Sequence, residues 1–255
     1  MPRPLPLLLF ALHLFGGAGF LRGQEPKPPA LPAAAENAEI QSTRERLKKT
    51  GATTYELDGI KIDAASREVR VPTKVNLKQA PIEYMLVHET GKTHESVLST
   101  EVSPTSIQLA LLLAHYQPAT QGMLEKVPEA ERPKIWGEAP PASPRGNRLR
   151  LDVEWQNGGK TKRSPLSDWY QNVETRKPPL DVPSWIFNGS FVDERGFVAT
   201  HEGSIIAVWL DRGAIINSPA EGAWRDDLWI SLPANIPDEG TPVTLIFTPE
   251  APNQK

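Results

Sequence analysis

His88, His94, Glu95, Ser96, His115 and the pair His201-Glu202 are the side chains whose types could support acid–base or metal chemistry. His94 beside Glu95 suggests a histidine general base oriented by a carboxylate. Ser96 would be the hydroxyl it activates. A catalytic zinc site draws on three protein ligands. Here His94 or His88, His201 and a carboxylate would have to converge from separate segments. The chain has no His-Glu-x-x-His, no Gly-x-Ser-x-Gly elbow and no Ser-x-x-Lys, so no metal site and no cofactor is expected. Cysteine is absent, which excludes disulfides, thiolate zinc sites, iron–sulfur clusters and cysteine nucleophiles.

The elements that must position these groups can be read around them. Tyr84 to His88 alternates as a strand, Thr90-Gly91 supplies a tight turn, and the run to Thr100 reads as a second, antiparallel strand. In that register Val87 pairs with His94 and Leu86 with Glu95. Directly paired residues share a face, so His88 and Glu95 lie on one face and His94 and Ser96 on the other. Strand neighbours two apart are roughly 7 Å from each other at their Cα atoms, too far for a nucleophile–base contact without a bulge. The reading therefore stays open between a working base and a polar pair buried under the next helix and bonded to backbone. That helix is signalled by Ser103 as N-cap, Pro104 at its first position and the apolar run Ile107 to Ala114.

The remainder is strand-rich. Asp58-Gly59 sits between alternating runs and marks a hairpin. Val69, Val71 and Val75 continue in strand phase, with Pro72 suggesting an edge or bulge. Leu149, Leu151, Val153 and Trp155 alternate with polar residues and lead to an Asn157-Gly158 turn. Ser164-Pro165 opens a short helix through Trp169. Further short strands follow to Phe247. The seven tryptophans all lie from Trp136 onward, so the second half has an aromatic core. Trp224, followed by Arg225-Asp226-Asp227 in a turn, is the tryptophan that reads as exposed, and Trp224 with Arg225 is a candidate binding pair. The fold class that results is α+β, β-dominated, with mainly antiparallel sheets, a buried helix after the central hairpin and few other short helices.

The chain of 255 residues divides into three parts. Residues 1–23 have a short basic start, an apolar run from Leu5 to Phe15 and the small residues Gly16-Gly17-Ala18-Gly19. This is the pattern of a secretory signal with cleavage after Gly19 or Gly23. The alternative is an uncleaved anchor, short for a membrane span. Residues 24–50 are a Pro/Ala-rich linker and a marginal helix. Residues 51–250 form one domain with a long Pro- and Glu-rich loop at 117–146. A net charge of −3 with no basic block excludes an electrostatic footprint for nucleic acid. The expected location is periplasmic or secreted, with membrane attachment only if the signal is retained.

Several segments carry a family resemblance. They are Val75-Asn76-Leu77, Ile82 to Val87, Gly91-Lys92-Thr93-His94-Glu95-Ser96-Val97-Leu98, the apolar helix after Pro104, Trp185 to Ser190, Gly203 to Ala207 and Gly240 to Leu245. Together they resemble the YdjY domain, a bacterial exported domain of unknown function common in planctomycete and verrucomicrobial proteins. The resemblance implies export and supplies no catalytic residues. The expected function is a cell-envelope module that binds an envelope protein or small ligand, or serves structurally, without catalysis. The alternative is a hydrolase or metal-dependent enzyme centred on His94 and Glu95.

Overall fold

The structure is a computed structural model that describes residues 42, 45–118, 127–132, 148–179 and 184–250. Residues 1–23, where a signal is expected, most of the linker and most of the 117–146 loop lie outside the described residues.

Strands β1 (Lys48–Lys49), β2 (Thr54–Leu57) and β3 (Ile60–Asp63) form an antiparallel meander that leads into β4 (Glu68–Val75). Lys48–Lys49 is thus a strand, not the end of a helix. Asp58-Gly59 makes the hairpin as read, both residues having positive φ, 51° and 82°, the geometry that this dipeptide favours. β5 (Tyr84–His88) and β6 (Ser96–Thr100) follow, then helix α1 (Pro104–Leu113). The second half supplies β7 (Arg148–Asn157), β8 (Lys160–Pro165), β9 (Tyr170–Asn172), β10 (Trp185–Phe187), β11 (Val192–Asp193) and β12 (Gly196–Phe197). Helix α2 (Val198–Glu202), β13 (Ser204–Ala207), β14 (Ile216–Asn217), β15 (Trp229–Ser231) and β16 (Pro242–Pro249) complete it.

Eight strands close into a barrel in the order β4-β16-β7-β10-β14-β13-β5-β6, with β6 returning to β4. A barrel of this size has an interior that side chains just fill. In β4 the buried residues Val69, Val71, Thr73 and Val75 alternate with Glu68, Arg70, Pro72 and Lys74. Register stacks them: Leu245 lies between Val71 and Val153, and Phe247 between Val69 and Leu151, all buried. Pro72 is neither at an edge nor in a bulge. It falls where the partner of β4 changes from β3, paired up to Arg70, to β6, paired from Lys74. Its missing N–H removes no ladder bond there, and its carbonyl accepts the Thr100 hydroxyl at 2.7 Å.

The central hairpin is corrected. β5 and β6 are parallel, with Tyr84 beside Ser96 and Leu86 beside Leu98. A second parallel pair joins β13 and β14, so the sheet is mixed. Thr90-Gly91 does not turn the chain into an antiparallel partner. The chain instead runs back past β5 through a 3-10 turn, Thr93–Glu95, before β6 begins. The face assignment drawn from the hairpin falls with it. Two other local readings shift. The β7–β8 turn is Gly158-Gly159, one residue later than read, because Asn157 still pairs with Lys160. The helix after Ser164-Pro165 is a single 3-10 turn, Leu166–Trp169, entered from strand β8.

α1 starts at Pro104 as its capping signals indicate, although the Ser103 side chain makes no cap bond. It packs on β3, β4 and α2 and buries Ile107, Ala110 and Leu111. Gln108, Leu109, Leu112 and Leu113 remain half-buried, so it is covered on one side. Its C-terminal carbonyls at Ala114 and His115 accept the Arg67 guanidinium at 3.1 Å each. That satisfies groups which a helix end leaves unpaired.

The return loop after β5 is held by glycine against glycine. A Cβ on Gly203 would lie 2.6 Å from the Gly91 Cα, and one on Gly91 would lie 3.0 Å from the Glu202 carbonyl oxygen. Gly203 also caps α2 in the left-handed conformation, φ 73°. Gly203→Ala should therefore lose at least about 2 kcal/mol in urea unfolding, from backbone strain and collision together. Gly240→Ala, at φ 82° with open space around it, carries the backbone term alone and should lose about 1 kcal/mol.

Candidate functional site

The Gly91-Lys92 pair that follows β5 reaches back to the strand. Lys92 Nζ donates to the Tyr84 hydroxyl oxygen at 2.7 Å and lies 4.9 Å from the Tyr84 ring centroid. The Tyr84 hydroxyl donates to Asp211 Oδ2 at 2.9 Å. Asp211 Oδ1 accepts the Gly213 N–H at 2.7 Å. The loop between β13 and β14 is thereby pinned from below.

Two buried asparagines pin it from the other side. Asn217 accepts the Asp211 N–H at 2.8 Å and donates to the Asp211 carbonyl at 2.8 Å and to Asn188 Oδ1 at 2.9 Å. Asn188 donates to the Ala214 carbonyl at 2.7 Å, and the Ser190 hydroxyl donates to the Gly213 carbonyl at 2.6 Å. Asn188-Gly189-Ser190 matches a glycosylation pattern, but the Asn188 amide is buried and engaged in this network.

Burial is the main reason that the Tyr84 hydroxyl is pushed far above its ordinary range, and the charge of Asp211 adds to it. Tyr84 stays protonated, a donor and not a base. Glu83 is raised as well, first by burial and next by Glu95, with Asp226 and Asp211 adding to it and Lys92 opposing. Its backbone carbonyl accepts the N–H groups of Val208 at 2.8 Å and Trp209 at 3.1 Å. The backbone of Glu83 is thereby tied to the same loop.

On the outer side of that loop Phe191, Val198, Glu202, Trp209, Leu210, Asp211, Arg212 and Gly213 line a cleft of about 210 Å³. The Arg212 guanidinium lies 4.4 Å from the Phe191 ring centroid. The Glu202 carboxylate rests over Gly213, where a Cβ would be 2.8 Å from Oε2.

The residues singled out in the sequence are distributed otherwise. His94 is not buried under a helix; its side chain is 79% exposed, in the 3-10 turn, with Nε2 3.7 Å from Glu95 Oε2. Ser96 is fully buried and donates to the Leu98 carbonyl at 2.8 Å. His88 is half-buried, its Nδ1 accepting the Thr90 N–H at 3.3 Å. His115 is an exposed residue at the end of α1 with φ 62°. His201 Nε2 lies 3.3 Å from Asp193 Oδ1, so its carboxylate partner is not Glu95. Trp224 is half-buried against Val127, Ile186 and Leu210. Arg225 is engaged by Glu174 at 2.7 Å and Asp227 at 2.9 Å. Among the described residues no group of three or more His, Asp or Glu side chains is arranged to hold a metal ion. Sequence reasoning passed over Tyr84, Asp211, Arg212 and Asn217 as site residues. Their available signals were the lysine directly after the turn glycine and the polar Asp211-Arg212-Gly213 break between two apolar strands.

A closed, mixed eight-strand barrel with a polar brace under one loop defines the class. The chain matches the profile of the YdjY domain over residues 60–248 and belongs to that family. Neither a curated protein nor a solved structure matches it.

Tyr84→Phe deletes the hydroxyl and leaves Lys92 and Asp211 without their shared partner. It should lower unfolding stability by about 1–3 kcal/mol. His94→Ala, at an exposed position, should stay within about 0.5 kcal/mol of the parent. Glu83 gives a pH signature. Its raised pKa means that the folded state binds the proton more tightly than the unfolded chain, so ionised Glu83 destabilises the fold. The cost is absent below the ordinary glutamate range and sets in as pH rises through it. Glu83→Gln should unfold at higher urea than the parent at neutral pH, and this advantage should vanish below about pH 4.

Proposed function

We propose that this YdjY-family chain is an exported cell-envelope module that binds a partner without catalysis, and that the cleft over the 208–213 loop is its recognition surface. The observation that carries this reading is the Lys92–Tyr84–Asp211 chain of hydrogen bonds. The lysine of the Gly-Lys-x-His-Glu-Ser segment, Lys92, is used to hold one wall of a cleft. The tyrosine it meets is kept protonated, and the serine two residues after His94 is bonded to backbone. A general base needs direct or one-water contact with the proton it removes, and Ser96 gives His94 no exposed hydroxyl to act on. The cleft, by contrast, combines an aromatic floor with a few convergent polar groups, the usual make-up of a binding site.

Export rests on residues 1–23, whose basic start, apolar run and small residues follow the signal pattern. Fractionation of the native cells, with intact-mass measurement of the protein, tests it. The expected result is periplasmic or secreted protein beginning after Gly19 or Gly23. Unprocessed protein in the membrane fraction would mean an anchored module, and unprocessed protein in the cytoplasm would sink the envelope reading.

A further inference from the structure

The cleft holds two opposite charges that do not meet. Among the described residues Arg212 has no ion-pair partner, and its guanidinium lies over the Phe191 ring at 4.4 Å. Glu202 has no ion-pair partner among the described residues either, and it acts at longer range on Arg195. Arg195 is already bonded to Asp193 at 2.8 and 3.1 Å. Both unpaired groups line the same 210 Å³ space. The third charge in the lining, Asp211, has one carboxylate oxygen taken by Tyr84 and the other by Gly213.

Each charge is kept in place by something other than a counter-ion. A guanidinium stacked on an aromatic ring is positioned with its donors free, ready for bidentate contact with a carboxylate. Glu202 lies over a glycine, and Gly213 has no side chain to displace it; a Cβ there would come within 2.8 Å of Oε2 and 3.1 Å of Val198 Cγ1. The missing Cβ is therefore part of the shape of the cleft. Trp209, Leu210, Val198 and Phe191 give the space an apolar lining. The volume is below that of pockets for drug-sized ligands, a size that suits one small molecule.

We infer that the cleft binds a free α-amino acid as its zwitterion. The ligand carboxylate meets Arg212, the ammonium meets Glu202, and an apolar side chain lies on Trp209 and Phe191. This rests on the reading that the cleft is a recognition surface and names the chemistry that it would recognise. Binding one zwitterion completes both ion pairs at once, which neither an anion nor a cation alone can do.

The test uses the full chain, labelled with nitrogen-15, and four probes: L-leucine, N-acetyl-L-leucine, L-leucinamide and the uncharged N-acetyl-L-leucinamide. L-Leucine should shift the Gly213 amide and the Trp209 indole signals saturably. Each singly capped probe should bind at least about tenfold more weakly, since each loses one charge-assisted pair. Arg212→Gln should remove the discrimination against L-leucinamide alone, and Glu202→Gln that against N-acetyl-L-leucine alone. Gly213→Ala should weaken L-leucine binding without loss of the folded spectrum. If N-acetyl-L-leucinamide binds as tightly as L-leucine at these signals, the zwitterion assignment is wrong while the cleft remains a recognition surface. If none of the four moves them, both the assignment and the cleft reading fail.

Discussion

The barrel depends on how the chain gets from His88 to Ser96. Parallel strands ordinarily need a crossover of a dozen residues or more. Here a far shorter segment carries the chain back along β5 so that Tyr84 and Ser96 start side by side. β6 then faces β4 with its other edge and pairs at Lys74 and Val75, which closes the sheet. The short return is possible because its sharpest point, Gly91, can lie directly on Gly203. Asn76 supports the other end, its side-chain amide donating to the carbonyls of Thr93 and Ser96 at 2.6 and 2.8 Å. If either anchor were lost, β6 would be misplaced and the barrel would be left with two open edges, the liability that closure removes.

The same return explains the role of the Gly-Lys-x-His-Glu-Ser segment. Glycine permits the close approach, and lysine fastens the loop to Tyr84 and through it to Asp211. Thr93–Glu95 forms the 3-10 turn, and Ser96 starts β6 with its hydroxyl turned onto backbone. A run of residues that looks like a catalytic constellation is largely the joint of a barrel. The proposed recognition surface and the architecture meet at Asp211, because the carboxylate that completes the brace belongs to the loop carrying Trp209 and Arg212.

Much of the fold was legible where the signal is local. Alternation identified β4 and β7, Asp58-Gly59 identified the first hairpin, and Ser103-Pro104 identified the start of α1. Thr90-Gly91 misled because alternation with period two is the same for parallel and antiparallel partners. What decides between them is the contact with Gly203, more than a hundred residues away. The candidate site was less legible for the same reason. His94 and Glu95 are adjacent in sequence and attract attention, whereas Tyr84, Lys92, Asp211 and Asn217 come together only when β13 lies beside β5. Trp224 differs in another way: its polar neighbours in a turn suggest exposure, but its ring is half-buried on a satellite cluster with Ile186 and Leu210.

Folded chains tend to agree with themselves at every level, and departures collect where the molecule has work to do. Three departures gather on this flank. Glu83 is an acid desolvated beside other acids, Arg212 is a cation with no carboxylate partner among the described residues, and Glu202 is an acid resting over a glycine. Other charges are matched by ion pairs: Asp152, nearly buried, is met by Arg150 and Arg163, and Arg70 by Glu68 and Glu154. Stability alone would let Arg212 and Glu202 approach each other, because both side chains are long. Arg212 instead lies over Phe191, and Glu202 over the place where Gly213 has no side chain. A cleft lined by a cation, an acid and an apolar floor offers complementary partners to a single molecule that carries both charges and an apolar group.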